Sequence, residues 1–387
     1  MNILFFMHRF IGFGGIEMVT KNLAIELNAK FDHNVSIFSI VKQDIDESFF
    51  TSEHYDFYVA KTEKKEEVKK EFKEYLSRKS FDIVVFQDSY AKIEYLLDEV
   101  TLKSIPIITV EHNTPDCFLK SHKRLTAVIS KKNKNIIRLI VRAFRYRLLK
   151  KEERKRRKVL LEKSDKYVLL SNNFKPILKN CYGIENEKII SITNPIRTAN
   201  SSNRLEKQQI ALFVGRLTKD KGVDNLIEIW NRLEPLLPEW KLKIIGEGEE
   251  KEYILKRTKE LKLQRIELHN FTTNIDEYYN EASIYLMTSI FEGFGLVIAE
   301  AMSYGVVPFA FNSFESLSDI IDNNKNGYII KAFDIEDYVK KIIEFTSSEN
   351  SEKQMIRVKA QEKAKKFSQH NIAIEWDNLF HDIVNKK

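Results

Sequence analysis

Short apolar runs alternate along this chain with longer segments whose apolar residues recur every three or four positions. The first run covers residues 3–7. It is followed by Gly12-Phe13-Gly14-Gly15 and then by a helical pattern through Ile16, Val19, Leu23, Ile25 and Leu27. Further runs of strand length lie at 34–40, 82–86, 105–110, 167–170, 188–193, 210–214, 241–245, 266–271, 282–287 and 306–311. Helical periodicity marks 61–79, 136–161 and 370–384, the last carrying Ile372, Ile374, Trp376, Leu379 and Ile383 on one face. Strand-length apolar runs that alternate with helices predict an α/β protein built on parallel sheets. The alternation restarts at 210, after a polar stretch at 195–209 that contains Asn200-Ser201-Ser202-Asn203 and reads as a linker.

A chain of 387 residues is long for a single core and suits two domains. Hydrophobic residues at 43% and charged residues at 31% are in the range of soluble globular proteins. Cys117 and Cys181 are the only cysteines, so no disulfide framework is expected and a reducing compartment fits. The opening Met1-Asn-Ile-Leu-Phe-Phe-Met-His lacks the basic region and long apolar stretch of a signal peptide and reads as a first strand. No run of apolar residues is long enough to span a bilayer.

Charge changes the picture locally. In residues 120–166, 19 Lys and Arg stand against 4 Asp and Glu, whereas the remainder has 44 against 52. This basic segment has three readings: a solvated helix, a nucleic-acid patch or a membrane-surface patch. Interleaved apolar residues, Phe144 and Tyr146 among them, favour the membrane surface. No recognisable nucleic-acid module accompanies them.

The chemistry concentrates at Glu292-Gly293-Phe294-Gly295-Leu296-Val-Ile-Ala-Glu300-Ala-Met302. A strand, a glycine turn and a helix beginning near Leu296 would present the backbone of Gly293, Phe294, Gly295 and Leu296 at a helix N-terminus, which favours phosphate. Glu292 before the helix and Glu300 inside it suit a ligand that also carries hydroxyls, because carboxylates accept hydrogen bonds and sugar hydroxyls donate them. Phosphate with sugar attached describes a nucleotide sugar. At 215–222, Gly215-Arg216-Leu-Thr-Lys-Asp-Lys221-Gly222 puts two cations beside a strand end, where they could offset charge on a leaving diphosphate. Asp44-Ile-Asp46 has the spacing of a metal-binding pair but follows no buried strand end, and we read it as a solvated loop.

These motifs resemble those of the retaining glycosyltransferases of family 4, and the likeness runs over nearly the whole chain. It implies the GT-B fold: two Rossmann-like domains, 1–196 on the acceptor side and 197–368 binding the nucleotide sugar. The active site would lie in the cleft between them, and the C-terminal helix at 369–387 would return to the first domain. By the same resemblance Glu292 contacts the donor sugar and Glu300 the ribose. Arg216 and Lys221 hold the diphosphate. Gly14 and Gly15 approach the donor phosphate and the acceptor. His112, at the end of the 105–110 strand, touches the donor sugar. Gly246 closes another strand-end turn, and Phe271 and Thr272 lie along the base. The implied reaction transfers a sugar from a nucleotide diphosphate, UDP by family frequency, with retention. No metal or other cofactor is needed. The acceptor expected is a lipid-linked glycan of a bacterial surface polysaccharide, which would place the enzyme in the cytoplasm on the inner face of the plasma membrane. A nucleotide-sugar epimerase on the same fold and a non-catalytic membrane scaffold are the alternatives.

Overall fold

The computed structural model describes residues 1–12, 14–87, 93–120, 136–199 and 207–386, with the side chains of 136–140 left aside. Phe13, the 121–135 part of the basic segment and Asn200-Ser-Ser-Asn203 of the expected linker therefore lie outside the described residues. Two compact units emerge, Met1–Pro195 with Ile372–Lys387, and Ile196–Asn371.

The first unit is a seven-stranded parallel sheet in the order β3-β2-β1-β4-β5-β6-β7. Its strands are β1 (Asn2–Arg9), β2 (Asn34–Val41), β3 (Tyr55–Val59), β4 (Ile83–Phe86), β5 (Ile107–Glu111), β6 (Lys166–Leu169) and β7 (Ile189–Ser191). Helices α1 (Gly15–Phe31), α2 (Lys65–Arg78), α3 (Glu94–Thr101), α4 (Ile136–Lys163) and α5 (Phe174–Tyr182) connect them. Central strands of a parallel sheet are covered on both faces, so they read as unbroken apolar runs. Ile3 to Phe6 and Ile83 to Phe86 are all fully buried. The strand β3 escapes this signature because Tyr-Asp-Phe-Tyr-Val at a sheet edge is only partly covered.

The second unit repeats the plan with six parallel strands in the order β10-β9-β8-β11-β12-β13. They are β8 (Ile210–Val214), β9 (Lys241–Ile245), β10 (Ile266–His269), β11 (Ile284–Met287), β12 (Val307–Phe311) and β13 (Tyr328–Ile330). The helices are α6 (Val223–Leu233), α7 (Lys251–Glu260), α8 (Asp276–Glu281), α9 (Leu296–Ser303), α10 (Leu317–Ile320), α11 (Ile335–Ser347) and α12 (Asn350–Lys365). Helix α6 shows why the sheet is covered: Val223, Leu226, Ile227, Trp230 and Leu233 recur at helical spacing and all join the unit's core.

The last helix, α13 (Gln369–Val384), buries Ile372, Trp376, Leu379, Phe380 and Ile383, and all five belong to the first unit. Among the described residues no helix is long and apolar enough to cross a membrane.

The basic segment requires one correction. Not all of its cations face water. Arg157 is 1% exposed and is gripped by the carboxylates of Glu111 on β5 and Glu153 on α4, while Arg156 also pairs with Glu153. Tyr167 donates to Glu111 from the other side, at 2.6 Å, and Arg157 donates to the Pro115 carbonyl at 2.8 Å. A run of five basic residues on a helix turns a cation inward about once per turn, and here that cation meets a buried glutamate.

Candidate active site

In an open parallel sheet, ligands gather at the carboxyl ends of strands where the strand order reverses. In the second unit that point lies between β8 and β11, which pair directly. Both sequence motifs start there. After β8 the chain runs through Gly215, exposed Arg216 and buried Leu217 into a short helical turn, Lys219–Lys221. After β11 it runs through Thr288 and Ser289, both buried, to Glu292 and the glycine turn.

The two loops are tied together. Ile290 N–H donates to the Asp220 carbonyl at 2.8 Å, and the Thr288 hydroxyl donates to the Lys221 carbonyl at 3.0 Å. Gly222 makes this approach possible. Its φ is +65°, and a Cβ there would stand 2.0 Å from the Thr288 carbonyl oxygen. Lys221 then reaches Glu292, Nζ to Oε1 at 2.5 Å, while Ser289 donates to the same Oε1 at 2.7 Å. Arg216 makes no ion pair among the described residues. An anion arriving at this strand end would meet Arg216 directly and Lys221 on exchange with Glu292.

The glycine turn is held from beneath. Ser316 donates to the carbonyls of Gly293 and Phe294, each at 3.1 Å, and Ser313 donates to the Ser289 carbonyl at 2.6 Å. Phe294 is buried against Phe367, and Gly295 takes the left-handed conformation, φ +91°, just before α9 begins at Leu296. Gly246 supports the same region from behind. A Cβ there would lie 1.9 Å from the Gly215 carbonyl oxygen, so its position sets how closely the loops after β8 and β9 pack. Phe271 and Thr272 follow β10, and the Phe271 side chain is half exposed.

Glu300 occupies a different environment one turn into α9. The residue keeps some exposure, but its carboxyl group is packed round by protein, and this desolvation pushes its pKa up to about 7, against the nearby Arg197 charge. Around it Arg197 pairs with Asp276 at 2.9 Å, Tyr304 donates to Asp276 at 2.7 Å, and the Tyr279 ring stacks on Tyr304. The buried Tyr279 hydroxyl lies close to Glu300 but short of standard hydrogen-bond geometry.

In the first unit the strand order reverses between β1 and β4. Gly14 caps α1, its carbonyl accepting from Met18 N–H at 3.1 Å, and Gly15 opens the helix. Glu17, where a dinucleotide fingerprint would have its third glycine, is buried and paired with Arg9. His112 follows β5 and shares a 2.6 Å hydrogen bond with Gln87 at the end of β4. Burial lowers its pKa to about 4, so the ring is neutral at physiological pH. With Nε2 donating to the Gln87 oxygen, Nδ1 keeps its lone pair, and the Asn194 side chain lies near the ring but short of standard hydrogen-bond geometry. Asp46 of the Asp-x-Asp pair caps the helical turn Glu47–Phe50 by accepting from Ser48 N–H at 2.9 Å, a structural role.

The structure thus brings Arg216, Lys221, Glu292, Gly293, Phe294, Gly295, Leu296, Glu300 and Gly246 into one unit, and Gly14, Gly15 and His112 into the other. Sequence reasoning passed over Ser289, Ser316, Gln87, Tyr279 and Arg197. Isolated serines, a glutamine and a tyrosine carry no motif, and only the fold gives them their partners.

Comparison with known proteins bears on the chemistry. A model described as glycosyl transferases group 1 matches residues 196–363, and one described as Glycosyltransferase Family 4 matches residues 13–200. Between them they account for both units. The chain belongs to these glycosyltransferases. An uncharacterized glycosyltransferase of Haemophilus influenzae is 35% identical over 46% of this chain and 50% of its own length. The amylovoran biosynthesis glycosyltransferase AmsD of Erwinia amylovora is 28% identical over 56% of this chain and 62% of its own. The chain therefore spans between half and under two thirds of these curated relatives. Among solved structures, Staphylococcus aureus TarM, in a complex with fondaparinux, α-GlcNAc-glycerol and UDP, superimposes with a TM-score of 0.75. It is 16% identical, and the match covers 98% of this chain and 100% of that one. At that identity the likeness shows the fold, which for this glycosyltransferase is GT-B.

Proposed function

We propose that this glycosyltransferase moves a sugar from a nucleotide diphosphate, UDP by preference, to a hydroxyl of a glycan acceptor, with retention of configuration. The observation that carries the reading is the Lys221–Glu292 contact at the joined ends of β8 and β11. A cation and a sugar-binding carboxylate held within 2.5 Å of each other provide for the two ends of a sugar diphosphate. On binding, Lys221 would leave Glu292 for the diphosphate, and Glu292 would turn to the sugar hydroxyls. Arg216 would take further charge from the departing diphosphate, and so no metal is called for. Glu300 would receive the ribose hydroxyls. Neutral His112 would serve as a hydrogen-bonding contact to the donor sugar and not as a proton carrier. The UDP in the TarM complex supports the choice of nucleotide.

The acceptor we favour is lipid-linked, for a bacterial surface polysaccharide, a reading supported by the role named for AmsD in amylovoran biosynthesis. On α4 the exposed Val141, Phe144 and Leu148 fall at helical spacing, with Arg145, Arg147, Lys151, Arg154, Lys155 and Lys158 exposed along the same helix. Such a surface suits peripheral contact with an anionic leaflet on the cytoplasmic side. A panel of nucleotide sugars scored by thermal shift tests the donor. A true donor raises the melting temperature by mass action. Equal melting with every nucleotide sugar at millimolar concentration would remove the reading, and turnover of a donor to its epimer without an acceptor would replace it with an isomerase.

A further inference from the structure

Among the described residues, one cluster of imidazole and carboxylate side chains stands outside the transferase chemistry. Asp377 and His381 lie one turn apart on α13, so their side chains share a helix face. His33 immediately precedes β2, and all three residues belong to the first unit. His33 Nε2 lies 2.6 Å from Asp377 Oδ1, and His381 Nε2 lies 3.5 Å from the same oxygen. The ligand atoms of the three residues all fall within 4.8 Å of one another.

We propose that His33, Asp377 and His381 bind a divalent transition metal of the zinc type. Zinc bonds to nitrogen and oxygen run about 2.0–2.2 Å, so neighbouring ligand atoms in a tetrahedral site sit about 3.3 Å apart. The distances here straddle that value, and a small rotation of Asp377 and His381 would equalise them. The donor set, two imidazoles and one carboxylate, is one that zinc takes readily, with water filling the fourth position.

The burial gradient fits such a site. His33 is 3% exposed and held firmly, its carbonyl accepting from the Asn28 amide at 2.9 Å and its ring packing edge-on against Phe380. Asp377 is 19% exposed and His381 55%, which leaves an entry path from solvent. Metal would displace the proton that His33 and Asp377 share. It would also make His33 Nδ1 a donor, so the Met1 amine, 3.1 Å away, would have to turn aside or lose a proton. A bound ion would pin α13 to the head of β2.

The test uses the full, untagged chain stripped of metal and titrated with Zn²⁺ against a chromophoric zinc chelator. We expect one tight zinc per chain. His381→Gln, a change at an exposed position that leaves the fold undisturbed, should weaken it by about 100-fold or more, beyond the usual effect of outer-shell changes. With Co²⁺ as the probe, His381→Cys should add the near-ultraviolet absorption of a thiolate–cobalt bond, which a merely structural role for His381 would not produce. Absence of tight zinc in the wild-type chain would overturn the site. So would equal zinc affinity in His381→Gln, or a cobalt spectrum unchanged in His381→Cys.

Discussion

Both units place polar side chains beyond the carboxyl ends of neighbouring central strands and make different chemistry of them. In the second unit, the ends of β8 and β11 carry Lys221 and Glu292, a charged pair that retains some solvent contact. In the first, the ends of β4 and β5 carry Gln87 and His112, a neutral and buried pair. One residue before His112, Glu111 ends β5 pointing inward and is neutralised by Arg157 from α4. At the end of β1, by contrast, Arg9 keeps a charged pair with Glu17. A sheet fixes where polar side chains gather, and the residues that follow each strand decide whether they present charge or only hydrogen bonds.

The contrast can be broken most severely at Arg157. Arg157→Met leaves Glu111 buried without its cation, which should cost about 3–5 kcal/mol and lower the denaturant midpoint of the first unit sharply. Joint replacement of Arg154, Lys155 and Lys158 with Gln, on the exposed side of the same helix, should leave that midpoint almost unmoved. It should weaken sedimentation with anionic vesicles, which itself should fade with added salt. An unchanged midpoint in Arg157→Met would show that the buried charge does not hold the first unit together.

In the second unit, Lys221→Ala and Arg216→Ala should each reduce turnover by about 10²–10³ while the circular dichroism spectrum stays native. Near-normal turnover in both would mean that no diphosphate is bound between those loops.

A smaller effect separates the units by pH. The Glu300 pKa is raised from 4.5 to about 7, so the folded state holds a proton that the unfolded chain has lost, and stability from this group falls as pH rises through that interval. The His112 pKa is lowered from 6.5 to about 4, so the unfolded chain takes up the proton first, and stability falls as pH drops through that interval. The two intervals overlap, and there the two groups tilt stability in opposite directions. Across that range, melting curves should show Glu300→Gln removing a fall in stability with rising pH and His112→Asn removing a fall with dropping pH. Slopes that change in the same direction in the two variants would contradict the assignment.

Much of this was readable in the sequence. The buried strands announce themselves because parallel strands covered on both faces must be apolar throughout, and the glycine turns because close backbone approach tolerates little else. Glu292, Glu300, Arg216 and Lys221 stood out through the resemblance of their motifs to those of the family 4 glycosyltransferases, because the local patterns alone read equally well as an ordinary helix start and a basic loop. Two features were not readable. The edge strand β3 mixes polar and aromatic residues, and periodicity alone does not distinguish it from a loop. The inward turn of Arg157 depends on a glutamate 46 positions away, so a local reading of the basic segment counts it with the surface. The direct contact between Lys221 and Glu292 is likewise a product of the β8–β11 pairing, which joins motifs 71 positions apart.

That contact makes the division of labour between the two glutamates the point at which the account is most exposed. Calorimetric titration of UDP into the wild-type chain, Glu292→Ala and Glu300→Ala measures it directly. Loss of the Glu300 carboxylate should weaken UDP, because its proposed partner is the ribose. Loss of Glu292 should leave UDP affinity equal or tighter, because Lys221 is then released to the diphosphate and no sugar is present to miss the carboxylate. Equal weakening in the two variants, or weakening in Glu292→Ala alone, would contradict the account.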